Sequence, residues 1–194
     1  MAALMLNQIA AVTLRMLLFR AGPQDFPYAP ALVPWMPVVA VAAYFVVFRT
    51  VLPAGAALVL AAVSVAALAF VTHSLLSARR MASRFQQTYH ALLATGIVLT
   101  LASVPPMAVL APALRQIAAN PELLQQPGAL EASPLASLAL NALNFWNFFV
   151  YANIFRHATE TRLLVGALIA LFVVFSVLLL SMLFAQLLFV LMRG

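Results

Sequence analysis

Residues 163–192 read LLVGALIALFVVFSVLLLSMLFAQLLFVLM, thirty consecutive positions without a charge. Gly166, Ser176, Ser181 and Gln186 are the soft positions in this Leu-, Val- and Phe-rich run. A bilayer core about 30 Å thick is crossed by about 20 apolar residues rising 1.5 Å each. The stretch is long enough to span it while tilting or projecting beyond it. Working back from it, four more runs meet the same length: 31–48, with Trp35 and Tyr44 at interface depths; 55–76, almost all Ala, Val and Leu; 88–104; and 134–155, the most polar of the set. None alternates in polarity over ~10-residue segments as the strands of a membrane barrel do. The expected fold class is therefore an all-α integral membrane protein with five transmembrane helices.

Composition agrees. Of 194 residues, 66% are hydrophobic and 7% charged, against about 45–50% and about 25% in a soluble domain. Ten arginines and four acids cannot make a polar shell for a chain this size, which excludes a soluble enzyme, a disordered tail and a coiled coil. The net charge of +6 is spread over the ends of the apolar runs rather than gathered in a stripe, so nucleic acid is not an expected partner. The absence of cysteine removes disulfides, thiolate chemistry and Cys-ligated metals.

Residues 1–20, MAALMLNQIAAVTLRMLLFR, place Asn7, Gln8, Ala11 and Arg15 on one helical stripe. They have neither the basic start nor the A-x-A site of a secretory signal. An arginine at mid-bilayer costs ~2.5–3.5 kcal/mol on insertion scales, so the segment reads as an amphipathic helix lying at the interface. Pro23, Pro27, Pro30 and Pro34 prevent its continuation.

With five spans, Arg15, Arg20, Arg79, Arg80, Arg84, Arg156 and Arg162 share one side, and Arg49, Arg115 and Arg193 the other. The arginine-rich side faces the cytoplasm, which puts the N-terminus inside, the C-terminus outside and the loop over 111–133 outside. Asn120-Pro121-Glu122 combines a cap, a first-turn proline and a first-turn acid, so a short helix through Gln126 is expected there before Pro127-Gly128.

Three features stand above the apolar background. Ser137, Asn141, Asn144, Asn147 and Tyr151 recur at steps of three and four, so they occupy about a third of the fourth span's circumference. Hydrocarbon offers them no hydrogen bond. They either join helices to one another or line a polar cavity for a substrate or lipid headgroup. Pro105-Pro106 frees two carbonyls of the preceding turn; here the third span ends and MAVLAPALRQIA continues as an interfacial helix, or the helix is broken in the manner of transporters. His73, His90 and His157 gather at the cytoplasmic leaflet beside Arg79, Arg80, Arg84 and Arg156. No two histidines stand at i, i+4, so the group reads as a basic belt for anionic lipid headgroups, worth about 1 kcal/mol per arginine, rather than a metal site. No acid lies within a span, and there is neither a nucleophile turn nor a Gly-rich phosphate loop. No catalytic residue and no cofactor is expected.

The layout resembles the Yip1-type membrane proteins: five spans, a cytoplasmic N-terminus with a proline-containing lead-in and a C-terminus across the membrane. Asp25-Phe26-Pro27-Tyr28-Ala29-Pro30 is similar to that family's Asp-Leu-Tyr-Gly-Pro stretch, with inserted residues and no glycine. RAGPQDFPYAP (20–30) and NFFVYANIFRHATE (147–160) look like segments of bacterial Yip1-like inner-membrane proteins. The resemblance implies a role in membrane organisation through protein partners. The expected function is a non-enzymatic scaffold or small accessory subunit of a membrane complex. Its expected partners are membrane lipids and other membrane subunits or further copies of itself. The alternative is a transporter or channel component with a polar path along the fourth span.

Overall fold

The long apolar runs fold as α-helices in the computed structural model, which describes residues 2–27, 34–120, 122–123 and 133–191. Among these, the helices are α1 (Ala2–Leu17), α2 (Trp35–Phe48), α3 (Ala54–Ala78), α4 (Phe85–Ala102), α5 (Val104–Ala119), α6 (Pro134–Ala158) and α7 (Leu163–Leu191), and no strand is present among the described residues. The fold class is all-α.

Local chemistry sets the helix ends. Ser133 caps α6, its hydroxyl accepting from the Ala136 amide at 3.3 Å, and Pro134 fills the first turn, where its missing N–H leaves no bond unmade. Phe19, Arg80 and Glu160 follow α1, α3 and α6 with φ of 60°, 60° and 51°. Beyond each, an amide reaches back five residues: Arg20 to the Arg15 carbonyl, Met81 to Leu76 and Thr161 to Arg156. This is the left-handed helix terminator that glycine usually supplies. A side chain there costs roughly 1 kcal/mol, so Arg80→Gly is expected to stabilise the chain by about 0.5–1 kcal/mol, read as a rise in the thermal midpoint of the purified protein.

Five helices close a ring: α2 packs on α3, α3 on α7, α7 on α6, α6 on α4, and α4 back on α2. Leu68, Leu92, Val150, Ile154 and Val173 fill its interior. The α6–α7 crossing depends on Gly166, where a Cβ would stand 2.5 Å from the Ala152 carbonyl oxygen and 2.8 Å from the Arg156 amide nitrogen.

α1 is helical with Asn7, Gln8, Ala11 and Arg15 exposed, in keeping with the amphipathic pattern, yet it does not merely rest on the bundle. Val12, Met16 and Leu17 are buried in the core, against α4 and α6. The Trp146 indole N–H donates to the Leu17 carbonyl at 3.1 Å. Trp146 is twelve residues from either end of α6, so α1 reaches about 18 Å along that helix. The reason is that the face opposite its polar stripe is apolar apart from Thr13, whose hydroxyl donates to the Ile9 carbonyl at 2.7 Å, and it finds a groove to fill.

Three expected boundaries shift. α2 has 14 residues, roughly 21 Å of helix; residues 31–33 of the expected run lie outside the described residues. The break assigned to Pro105-Pro106 falls at Ser103, with α4 and α5 bent by 61° across it. Both prolines occupy the opening turn of α5, where no intrahelical donor is lost. The expected 111–133 loop is helical as far as Ala119. Pro112 is tolerated inside because it and Ala108, whose carbonyl loses its donor, are both exposed. Of the helix expected over 120–126, one bond is described, from the Leu123 amide to the Asn120 carbonyl at 3.1 Å; residues 121 and 124–126 lie outside the described residues.

By length and composition, α3 and α7 can each cross a membrane, and α4 with α5 passes only as a bent pair. α6 matches α3 in length but carries four asparagines.

Candidate functional site

The polar stripe of α6 is divided. Its C-terminal half is enclosed by α1, α4, α7 and residues 23–25, so every residue from Val150 to Phe155 is buried. Its N-terminal half meets fewer neighbours. Asn141 and Asn144 are exposed there, Ser137 and Asn147 are half-buried, and Tyr151 is inside. Angular position is therefore not enough; height along the helix decides whether a stripe residue meets protein.

Inside the ring, Tyr151 meets Tyr44 of α2, whose other polar neighbour is Thr100 of α4. The Tyr151 hydroxyl donates to the Leu92 carbonyl at 3.5 Å. Gly96 makes the meeting possible: a Cβ on it would lie 3.0 Å from the Tyr151 oxygen and 3.5 Å from that of Tyr44. Beside this cluster is a cavity of about 340 Å³ between α2, α3, α6 and α7, lined mainly by aliphatic side chains together with Tyr44, Ser64, Asn147, Tyr151 and Ser181. Ser64 and Ser181 face each other across it, their hydroxyl oxygens 3.1 Å apart. The Asn147 Oδ1 is buried without a hydrogen-bond partner, as are Thr72 Oγ1 and Asn153 Nδ2 elsewhere in the ring.

Asn147 and Tyr151 were marked by spacing. Tyr44, read as an interface aromatic, and Ser64, an isolated serine in an alanine-rich run, were not. Ser181 registered only as a soft position in the last span. Asn153 was missed because it lies off the stripe. No signal in the sequence pairs Ser64 with Ser181, which are 117 residues apart.

The arginines collect at the two ends of the ring. At one, Arg84 pairs with Glu160 and donates to the Ala158 carbonyl at 3.0 Å, neutralising the C-terminal end of α6. Arg84 is thus committed to protein, while Arg79, Arg80 and Arg156 are exposed. Segments 20–30 and 147–160 meet here: the 3-10 turn Pro23–Asp25, fastened by the Gly22 amide donating to the Asp25 carboxylate at 2.9 Å, contacts both α4 and α6. Arg79 ends an apolar groove of about 620 Å³ between α3 and α7. At the other end of the ring, Arg115 of α5 donates to the Thr50 carbonyl just after α2. The histidines remain apart. His73 packs edge-on to Phe85 at 5.0 Å, His90 is buried with Phe26 6.3 Å away, and His157 is half-buried. Among the described residues, no three His, Cys, Asp or Glu side chains come together as a metal site.

These features define a class: an all-helical chain whose ring borders a small, partly open, uncharged cavity. Leucines and phenylalanines dominate the exposed surface of its last helix, Leu164, Leu168, Phe172 and Phe175 each more than half exposed. The chain matches no protein-family model, no curated protein and no solved structure.

Proposed function

We propose that this chain is a non-enzymatic, multi-pass protein of a bacterial inner membrane, a scaffold or small accessory subunit of the Yip1-like kind. In this reading α2, α3, α4, α6 and α7 are the five spans, the N-terminus is cytoplasmic and the C-terminus periplasmic. The exposed Arg79, Arg80 and Arg156 meet anionic headgroups at the cytoplasmic rim, each contributing about 1 kcal/mol.

The observation that carries the proposal is the exposure of Asn141 and Asn144 among Leu138, Phe145 and Phe149, also exposed. An amide on an apolar helix surface has no partner in hydrocarbon, and leaving it unpaired costs several kcal/mol. A second membrane helix, from another subunit or another copy, answers that need, each interhelical bond contributing about 0.6 kcal/mol with close packing added. Division of the stripe between inside and outside favours this reading over the transporter alternative, which uses the whole stripe as one path.

Asn141→Leu with Asn144→Leu is the test, since neither side chain supports the ring. The double variant is expected to purify from mild detergent with unchanged helicity and thermal midpoint, but without the associated subunits or self-association of the wild type. Identical assembly in wild type and variant would refute the reading. Flux of solute in liposomes holding the purified chain alone would support the alternative.

A further inference from the structure

We infer that the cavity between α2, α3, α6 and α7 is a binding site for an uncharged, hydroxyl-bearing lipid, of the long-chain alcohol or acylglycerol class. The inference uses the inner side of α6 and is independent of the outer face to which a partner helix was assigned.

Three observations carry it. The first is charge. No arginine, histidine or acid is among the described residues lining the cavity, so an ionised headgroup would enter without a counter-ion, at a large desolvation cost.

The second is the donor and acceptor balance. The Ser64 hydroxyl donates to the Leu60 carbonyl at 2.8 Å, so in the pair with Ser181 it is the Ser181 hydroxyl that donates. The Tyr151 proton is directed to the Leu92 carbonyl. The protons of Ser64, Ser181 and Tyr151 are therefore used within the protein. The Tyr44 hydroxyl and the Asn147 amide remain, with the buried Asn147 Oδ1 lacking a donor, a set that a ligand group able both to accept and to donate answers. A carboxylate or an ether brings only acceptors. A hydroxyl brings the missing proton.

The third is size and lining. About 340 Å³ is within the range of small-molecule sites, roughly 300–1,000 Å³. A helix about 10–12 Å across has a cross-section of roughly 80–110 Å², so the space would admit less than one turn of a partner helix. Leu60, Leu68, Val173, Val177 and Leu178 supply aliphatic wall suited to a hydrocarbon chain, with the polar groups placed to take its head.

The experiment uses the full chain in phosphatidylcholine nanodiscs and a hexadecanol carrying a photoreactive diazirine on its chain. Labelling is expected on the cavity-lining stretches of α3 and α7, around Leu60–Leu68 and Val173–Ala185. Hexadecanol should displace the probe about tenfold better than hexadecyl methyl ether, which keeps the oxygen and lacks the proton. In Asn147→Leu this preference should vanish, the two competitors becoming equal. Ser181→Phe, which fills the cavity from α7 and leaves residue 147 an asparagine, should abolish the labelling; if Asn147→Leu does not purify as a single species, this variant decides. Equal competition by alcohol and ether in the wild type, or labelling that persists in Ser181→Phe, overturns the assignment and leaves only non-specific contact with lipid chains.

Discussion

Gly166→Ala is expected to separate α6 from α7 and to lower stability by about 3 kcal/mol or more. Overpacking a core ordinarily costs about 1–3 kcal/mol because neighbouring side chains can move aside. Here the added methyl would meet the Ala152 carbonyl oxygen at 2.5 Å, the Arg156 amide nitrogen at 2.8 Å and the Arg156 Cβ at 2.9 Å. Two of these are backbone atoms of a helix, so relief requires moving α6 as a whole. α6 in turn touches α4, α5 and α1, and the strain spreads through the ring. Gly55→Ala is the internal control. Nothing lies within 4 Å of a Cβ at Gly55, and alanine is the better helix former by up to about 1 kcal/mol. Thermal or SDS-induced unfolding of the two variants should therefore move in opposite directions. Equal behaviour would show that the helices do not cross at Gly166.

Met16→Ala is expected to cost about 2–5 kcal/mol, the range for truncating a fully buried methionine, and to release α1 from the bundle. Met16 has no exposed surface, and with Val12, Leu17 and the Trp146 bond it forms most of the seat of α1 between α4 and α6. Even at the lower limit, hydrogen exchange over residues 5–17 should accelerate about 30-fold. Leu14, 59% exposed, is the comparison: Leu14→Ala should leave exchange within about twofold of wild type. A helix held only by the membrane surface would respond in the reverse order, since its outward apolar residues would then anchor it. The pair of substitutions thus separates a docked α1 from a floating one.

The contrast between these two helices shows how far the chain could be read unaided. α7 is uncharged throughout, and any such run in a largely apolar chain becomes a helix, whatever packs against it. α1 was recognised as amphipathic from Asn7, Gln8, Ala11 and Arg15, but its groove is made by α4 and α6, far along the chain, and periodicity carries no information about distant neighbours. The α4–α5 bend was legible from Pro105-Pro106 to within a few residues, because proline acts locally on its own helix. The extent of α5 past Pro112 was not, since exposure of the Ala108 carbonyl depends on what α5 packs against.

The candidate site divides along the same line. Asn147 and Tyr151 were visible as part of a stripe of amides and hydroxyls, because polar residues are rare enough in an apolar helix for their spacing to register. Their separation from Asn141 and Asn144 was not visible, for angle is encoded in spacing while height matters only once neighbouring helices cover the C-terminal half of α6 more completely than the N-terminal half. Tyr44, Ser64, Gly96 and Ser181 come from four helices, and each alone is an ordinary residue in an apolar run.

By itself, the order of residues determined the all-helical class of the protein, the approximate limits of α3, α6 and α7, and the gathering of arginine at the ends of the apolar runs. These follow from transfer free energy and backbone hydrogen bonding, which act on a segment without reference to its neighbours. Only the tertiary structure decided which faces meet: the ring order, the docking of α1, the crossing at Gly166 and the cavity around Asn147. Those depend on close packing between segments distant in the chain, where a single missing Cβ determines whether two helices can touch.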